Sequence, residues 1–319
     1  MKRKRIKAAV CAAVMAFTLF GSLCPVDHHF IRETSVTASA EAAIWDGTED
    51  TAWYYREHDV VVSENGERIA IFNIRTAEEL AGLAKLVRNG NSMKNTMINL
   101  VSDVTLNDTT NFDNWDEQPP ANNWTAIGAV PIEAPNVNVV MTIQPECRNT
   151  VFAGMFNGNG HTISGMYSLH HNYAGLFART SGIITNVIVK DSYIQCINTQ
   201  KVESGDTALW EACAGGITAI CDRGVISHCE FDGKIFASGL NQVGYGTHGS
   251  FAGGIVGKFS DDESGVAAVV MMFALVPAGF LINPALFLTA SGQQVITDPG
   301  IYSCINRGSI YTEHGTDEN

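Results

Sequence analysis

The chain has 319 residues, with 20 Lys and Arg against 33 Asp and Glu, and a formal net charge of −13. That length can bury a sizeable core. A surface this acidic repels nucleic acid and anionic polysaccharide at long range, so neither is expected as a partner.

The N-terminus reads as an address rather than as structure. Lys2, Arg3, Lys4, Arg5 and Lys7 form a basic start, residues 8–23 are mostly apolar, and Thr37-Ala38-Ser39-Ala40 ends in the A-x-A form. This is the pattern of a secretory signal peptide cleaved after Ala40. The apolar run is short for a bilayer span. Leu23 before Cys24 and Pro25 after it argue against a lipoprotein site. Residues 1–40 hold six of the 20 basic and two of the 33 acidic side chains, so the exported chain keeps 14 and 31, a net charge of −17.

Residues 41–74 read as a lead-in followed by a hairpin. Trp45, Trp53, Tyr54 and Tyr55 lie in a polar, irregular stretch. Asn65-Gly66, between Val60-Val61-Val62 and Ile69-Ala70-Ile71-Phe72, is a hairpin signal. One helix is expected next. Thr76 caps it, Glu79 completes a capping box, Leu80, Leu83, Ala84 and Val87 form one apolar stripe, and Asn89-Gly90 stops it.

Residues 97–106 read as a first solenoid coil, with Asp103 at a turn, and 107–123 as a polar loop holding Pro119-Pro120. Residues 129–150 read as an insertion with an extra strand at 137–143. From 151 onward, short apolar runs alternate with Gly, Asn, Ser and Asp, which suits strands and is too broken for helices. Gly158, Gly160, Gly165 and Gly182 are expected at turns, where only Gly takes left-handed backbone angles without a Cβ penalty.

The pattern then repeats. Ala174-Gly175-Leu176-Phe177 followed by 182–187 is echoed by Ala214-Gly215-Gly216-Ile217 followed by 224–229. A third copy opens at Ala252-Gly253-Gly254-Ile255 and resumes at 301–310. A spacing of about 40 residues signals a solenoid whose copies must stack to bury an apolar face.

Phe156, Gly158, Gly160, His161, Ile163 and Gly165 lie in a stretch that resembles the F-x-G-x-G-H-x-I-x-G signature preceding GLUG repeats in secreted bacterial surface proteins. Gly175, Gly215 and Gly253 fall in stretches similar to the GLUG element itself. Trp124 to Gly128 resembles the family's W-x-x-I-G strand, and the helix resembles the one that begins many members. The resemblance covers 75–258, with a fragment at 301–310. It implies an all-β fold, a right-handed single-stranded parallel β-helix, with the hairpin and a capping helix ahead of it. It further implies a secreted or cell-surface location and adhesion to a glycan or to a host or environmental surface protein. It carries no catalytic constellation. A polysaccharide lyase or glycosidase on the same scaffold, and a purely structural spacer, stay open as alternatives.

The solenoid is expected over 75–319, truncated at the C-terminus and interrupted at 266–300. Residues 266–290 are almost wholly apolar and hold Pro277 and Pro284. A packed helical insertion, a membrane-inserting segment and a block foreign to the repeat all stay open, although a span would put the halves of one copy on opposite sides of the bilayer.

No G-x-S-x-G, P-loop or H-E-x-x-H is present. His161 is expected to hold a turn. His170-His171 lack a third metal ligand nearby. Calcium is the one ion that Asp261-Asp262-Glu263 or Asp113, Asp116 and Glu117 would suit, and neither has a calcium-loop spacing. Of the six cysteines beyond Ala40 (Cys147, Cys196, Cys213, Cys221, Cys229 and Cys304), no two have C-x-x-C spacing. They read as small buried hydrophobes, with disulfides as the second option. Cys229 and Cys304 take the place of Val187 in their copies. Trp115 and Trp210, and less so Trp124, are candidates for stacking on sugar rings. The excursions at 198–211 and 239–250 are candidate ligand loops.

Overall fold

The computed structural model describes residues 43–63, 66–129, 150–198, 211–241, 250–260 and 299–316. The chain divides into two compact units, Met1–Ala40 and Glu41–Asn319, and all described residues belong to the second.

The hairpin forms as the sequence implies. β1 (Asp59–Val62) pairs antiparallel with β2 (Arg68–Ile74), Asp59 opposite Ile71 and Val62 opposite Arg68. Gly66 bears a positive φ of 81°, while Asn65 lies outside the described residues. Val60, Val61 and Val62 are exposed on this edge strand. The lead-in is less irregular than expected: Ala52–Tyr55 is a turn of 3-10 helix, and Trp45 and Trp53 are buried.

Helix α1 (Ala77–Arg88) begins where Thr76 accepts a hydrogen bond from the Glu79 backbone N–H at 3.2 Å. The reciprocal half of the box is shifted by one residue, since the Glu79 carboxylate accepts from the backbone N–H of Arg75 at 2.7 Å. Gly82, a poor helix former, sits mid-helix because the lead-in crosses there; a Cβ would lie 1.8 Å from the Asp50 carbonyl oxygen. Leu80, Leu83 and Val87 join the same core as Phe72, Ile98 and Leu100.

The remaining architecture is strand-rich, and among the described residues every strand pairing after the hairpin is parallel. One sheet runs in the order β1, β2, β3 (Thr96–Leu100), β5 (Met155–Asn157), β10 (Ile183–Thr185), β14 (Val225–Ser227), β18 (Gly300–Tyr302). A second runs β4 (Val104–Thr105), β6 (Thr162–Ser164), β11 (Ile188–Asn198), β15 (Glu230–Asn241), β19 (Ile305–Asn306). β7 (Tyr167–His170) also pairs with β11, and β20 (Ser309–Thr316) with β15. Two three-stranded sheets hold β8 (Tyr173–Ala174), β12 (Ala212–Gly215) and β16 (Ser250–Gly253), and β9 (Phe177–Thr180), β13 (Thr218–Asp222) and β17 (Val256–Ser260).

The sequence echoes are therefore spatial neighbours. Ala174, Ala214 and Ala252 stand side by side. Phe72, Ile98, Phe156, Ile184, Ile226 and Ile301 form one column across six strands, and all but Ile301 are fully buried or nearly so. A second column runs Val104, Ile163, Val189, Phe231. The register offset is 42 residues from Ile183 to Val225 and 75 from Val225 to Gly300. Thus the third copy carries 33 extra residues while its two halves still pair with the second copy. The apolar 266–290 stretch, the 137–143 strand and most of the 198–211 and 239–250 excursions lie outside the described residues, as does Cys147.

Several local expectations need correction. Gly158 and Gly182 do not take left-handed angles; a Cβ would strike the Asn186 carbonyl oxygen at 2.3 Å and the Gly154 carbonyl oxygen at 2.0 Å. Left-handed angles at the neighbouring corner fall on Asn186, His228 and Ser303, with φ of 54°, 53° and 51°. Trp124 to Gly128 is not a continuous strand: it makes an isolated bridge, Ile127 to Phe177, and the Trp124 N–H donates to the Tyr167 carbonyl while its ring lies edge-on to Trp45. The 107–123 segment contains a short 3-10 turn (Phe112–Asn114) and buries Trp115.

Candidate functional site

Strands β7, β11, β15 and β20 alternate inward and outward residues, so each outward side chain has neighbours in register on the adjacent strands. Inward, Ile194 and Ile235 are buried beside one another. Outward, one column runs Tyr167, Tyr193, Lys234, Ser309, and the next runs Leu169, Gln195, Phe236, Tyr311. Tyr167 and Tyr193 stack with centroids 5.8 Å apart and planes 16° apart. Tyr311 is 60% exposed, and Phe236 and Tyr193 are half-buried.

The 107–123 segment walls this face on one side. Trp115 packs edge-on against Tyr167 at 6.1 Å, and Phe112 packs edge-on against Trp115 at 5.4 Å. The Lys234 ammonium lies 5.1 Å from the Phe112 ring centroid and donates to the Asp113 carbonyl at 2.9 Å. Three asparagines anchor the segment. The Asn107 amide donates to the carbonyls of Asn122 and Gly165, Asn122 donates to those of Trp45 and Leu106, and Asn123 exchanges bonds with both backbone groups of Leu169. Burial raises the Tyr167 phenol above its ordinary value; Tyr193 is raised by burial, then by the Asp116 carboxylate and Tyr167. Both phenols therefore stay protonated donors at neutral pH.

The flanks of the face are charged. Lys190 and Asp232 are register neighbours, and Arg307 donates to Glu230 at 2.8 Å. A pairable cation and anion beside aromatic rings is the composition of a face that contacts polar ligands through hydrogen bonds and ring faces.

A second polar cluster occupies β9, β13, β16 and β17 and the residue before β12. Lys258 donates to both carboxylate oxygens of Glu211 at 2.7 and 2.6 Å, with both side chains largely buried. Arg179 pairs with Asp222 nearby. Lys258 also lies 5.1 Å from the Phe251 ring centroid.

The residues singled out in sequence separate clearly. Phe156 and Ile163 are fully buried column members. His161 follows the turn at Asn159-Gly160: its backbone N–H donates to the Gly158 carbonyl at 2.8 Å, and its Nδ1 lies 3.1 Å from Asp103 Oδ1, the oxygen that also accepts from the Thr162 backbone N–H. Gly160 and Gly165 bear positive φ, and Gly175 a φ of 152°. Gly215 and Gly253 would each put a Cβ 1.9 Å from a carbonyl oxygen, of Thr218 and Val256. His170 and His171 point apart: the first accepts backbone N–H groups of Asn172 and Tyr173 at Nδ1, and the second lies 3.0 Å from the Ile197 carbonyl. Among the described residues no three His, Cys, Asp or Glu converge as metal ligands. Trp115 and Trp124 are buried and unavailable to sugars, and Trp210 lies outside the described residues. The aromatic face was readable only as outward positions of two alternating strands, Tyr193 and Phe236, once their mutual register was known.

Comparison with family models, curated proteins and solved structures finds no match. Among the described residues, no helix is long and apolar enough to cross a membrane.

Proposed function

We propose that this protein is an exported binding module of the GLUG-repeat kind, acting at the cell surface or in the surrounding medium. Its scaffold on this reading is a right-handed parallel β-helix, each copy supplying one coil and α1 covering the N-terminal end. The parallel, copy-to-copy register supports that reading, since a solenoid pairs each segment with its counterpart one repeat away. The ligand is a glycan or a surface protein, held weakly per contact along the face of β7, β11, β15 and β20, with avidity from repetition.

One observation carries the proposal. The Leu169, Gln195, Phe236, Tyr311 column places two aromatic rings on adjacent outward positions beside the stacked Tyr167 and Tyr193. The test is a glycan-array and surface-protein binding screen of the wild type beside Phe236→Ala/Tyr311→Ala. Two lost stacking contacts should weaken binding by about ten-fold or more. Binding that is unchanged by the double substitution removes this face from the reading. The same sample is screened for polysaccharide depolymerisation. New reducing ends or unsaturated products would replace the binding reading with the enzyme reading, and would direct attention to Glu211 and Lys258.

A further inference from the structure

Five described cysteines are buried as thiols. Three of them meet no other thiol in their own register. Cys196 stands between His170 and Ala237, Cys213 between Tyr173 and Phe251, and Cys221 between Thr180 and Phe259. Cys229 and Cys304 differ. Ser227 pairs with Tyr302 and Glu230 with Ile305, and the Ile305 N–H donates to the Cys229 carbonyl at 2.9 Å, so Cys304 lies beside Cys229 at the matching corner between two strands of the next copy. Register neighbours in a sheet are about 4.8 Å apart, inside the Cα separation that a disulfide spans.

The two thiols are also set in the same way. Cys229 Sγ contacts the carbonyls of Ser227 and Ile184 at 3.3 and 3.8 Å; Cys304 Sγ contacts those of Tyr302 and Ile226 at 3.3 and 3.7 Å. Each side chain thus aims along the stack toward the preceding copy. The neighbouring Cys229 thiol holds Cys304 below the ordinary thiol value, while burial, then the nearness of Cys304, holds Cys229 well above it.

We propose that Cys229 and Cys304 form a disulfide in the mature protein, clasping the strands after the 33-residue insertion to the second copy. The pairing rests on the geometry alone; only where it forms rests on the exported reading. The chemistry is two thiol–disulfide exchanges with a small-molecule or protein disulfide as oxidant. The Cys304 thiolate attacks one sulfur of the oxidant and expels the other as a thiolate. The Cys229 thiolate then attacks the Cys304 sulfur of the mixed disulfide and expels the second. The protein is oxidised by two electrons, the oxidant is reduced to two thiols, and the two cysteine protons pass to those leaving groups. Cys304 is the natural first nucleophile, because β18 and β19 each end their sheet and so open more readily than the strands behind them. The clasp closes a loop that includes all of 261–298, a long connection whose tethering restricts the unfolded chain most.

The test uses the full chain equilibrated in oxidised or reduced glutathione, with alkylation, non-reducing proteolysis and mass mapping. Oxidised protein should yield one peptide pair joining Cys229 to Cys304, lighter by two hydrogens than the separate peptides. Its melting temperature should exceed that of the reduced form by roughly 5–15 °C. Cys304→Ala keeps a small buried side chain, and its melting temperature should not respond to redox. Both thiols alkylated after oxidation, or Cys229 or Cys304 joined to any other cysteine, overturns the proposal whatever the compartment. Cross-linking in purified protein but free thiols in protein recovered from culture medium would show that the two cysteines can pair but would overturn the disulfide in the mature protein, leaving the proposed binding face untouched.

Discussion

Gly160 and Gly215 show why one residue type needs two explanations. Gly160 has a φ of 78° and nothing within 4 Å of a built Cβ, whereas Gly215 would put a Cβ 1.9 Å from the Thr218 carbonyl oxygen. Gly160→Ala should cost about 1 kcal/mol, the ordinary left-handed penalty. Gly215→Ala must displace backbone and should cost about 2–3 kcal/mol; urea denaturation of both variants separates the two causes, and equal losses would contradict it. Glu211 and Lys258 form the other residue-scale test. Lys258→Met strands a buried carboxylate and should cost about 3–5 kcal/mol, while Glu211→Gln/Lys258→Met should cost clearly less, since no charge is then left alone. A double variant as unstable as the single would show that packing, not charge, holds this cluster.

At the scale of elements, α1 is the segment whose sequence and setting disagree. Helix propensity alone says that Gly82→Ala gains about 1 kcal/mol. The Asp50 carbonyl oxygen, 1.8 Å from the Cβ position, reverses that sign, and the variant should melt lower than the wild type. The lead-in is also tied to α1 by charge, because Glu49 meets Arg88 at 2.8 Å and Lys85 at 3.2 Å. Burial alone would raise the Glu49 carboxyl, but Arg88 and Lys85 outweigh it and hold it below its ordinary 4.5. A carboxyl depressed in the folded state stabilises above its unfolded value and loses that contribution as the pH falls through the folded value. Glu49→Gln should therefore lower stability at pH 7 and converge with the wild type only as the pH falls through the depressed folded value, which lies below 4.5. Parallel denaturation curves that keep a constant gap down to acid would refute the linkage.

For the whole molecule, stability should depend on position within the stack. Ile184 sits in the middle of the column from Phe72 to Ile301 and is fully buried, whereas Ile301 ends it half-buried. Ile184→Ala should cost about 3 kcal/mol and Ile301→Ala about 1 kcal/mol, because the inner cavity is walled on both sides and the outer one collapses. The hairpin, the capped helix and the three echoed copies were legible in the sequence, since each is written in local signals: turn glycines, a capping threonine, a period of about 40 residues. So was the inward place of Cys229 and Cys304, from their alignment with Val187. What the chain alone determined, then, was which segments are strands and which copies correspond. Only the tertiary structure decided that the copies pair side by side in parallel. From that pairing follow the Tyr193, Phe236 and Tyr311 face, the Glu211–Lys258 pair, the space demanded at Gly82, Gly158 and Gly215, and the meeting of two thiols 75 residues apart. These depend on contacts between residues distant in sequence, and no local pattern encodes the distance between two atoms that a register brings together.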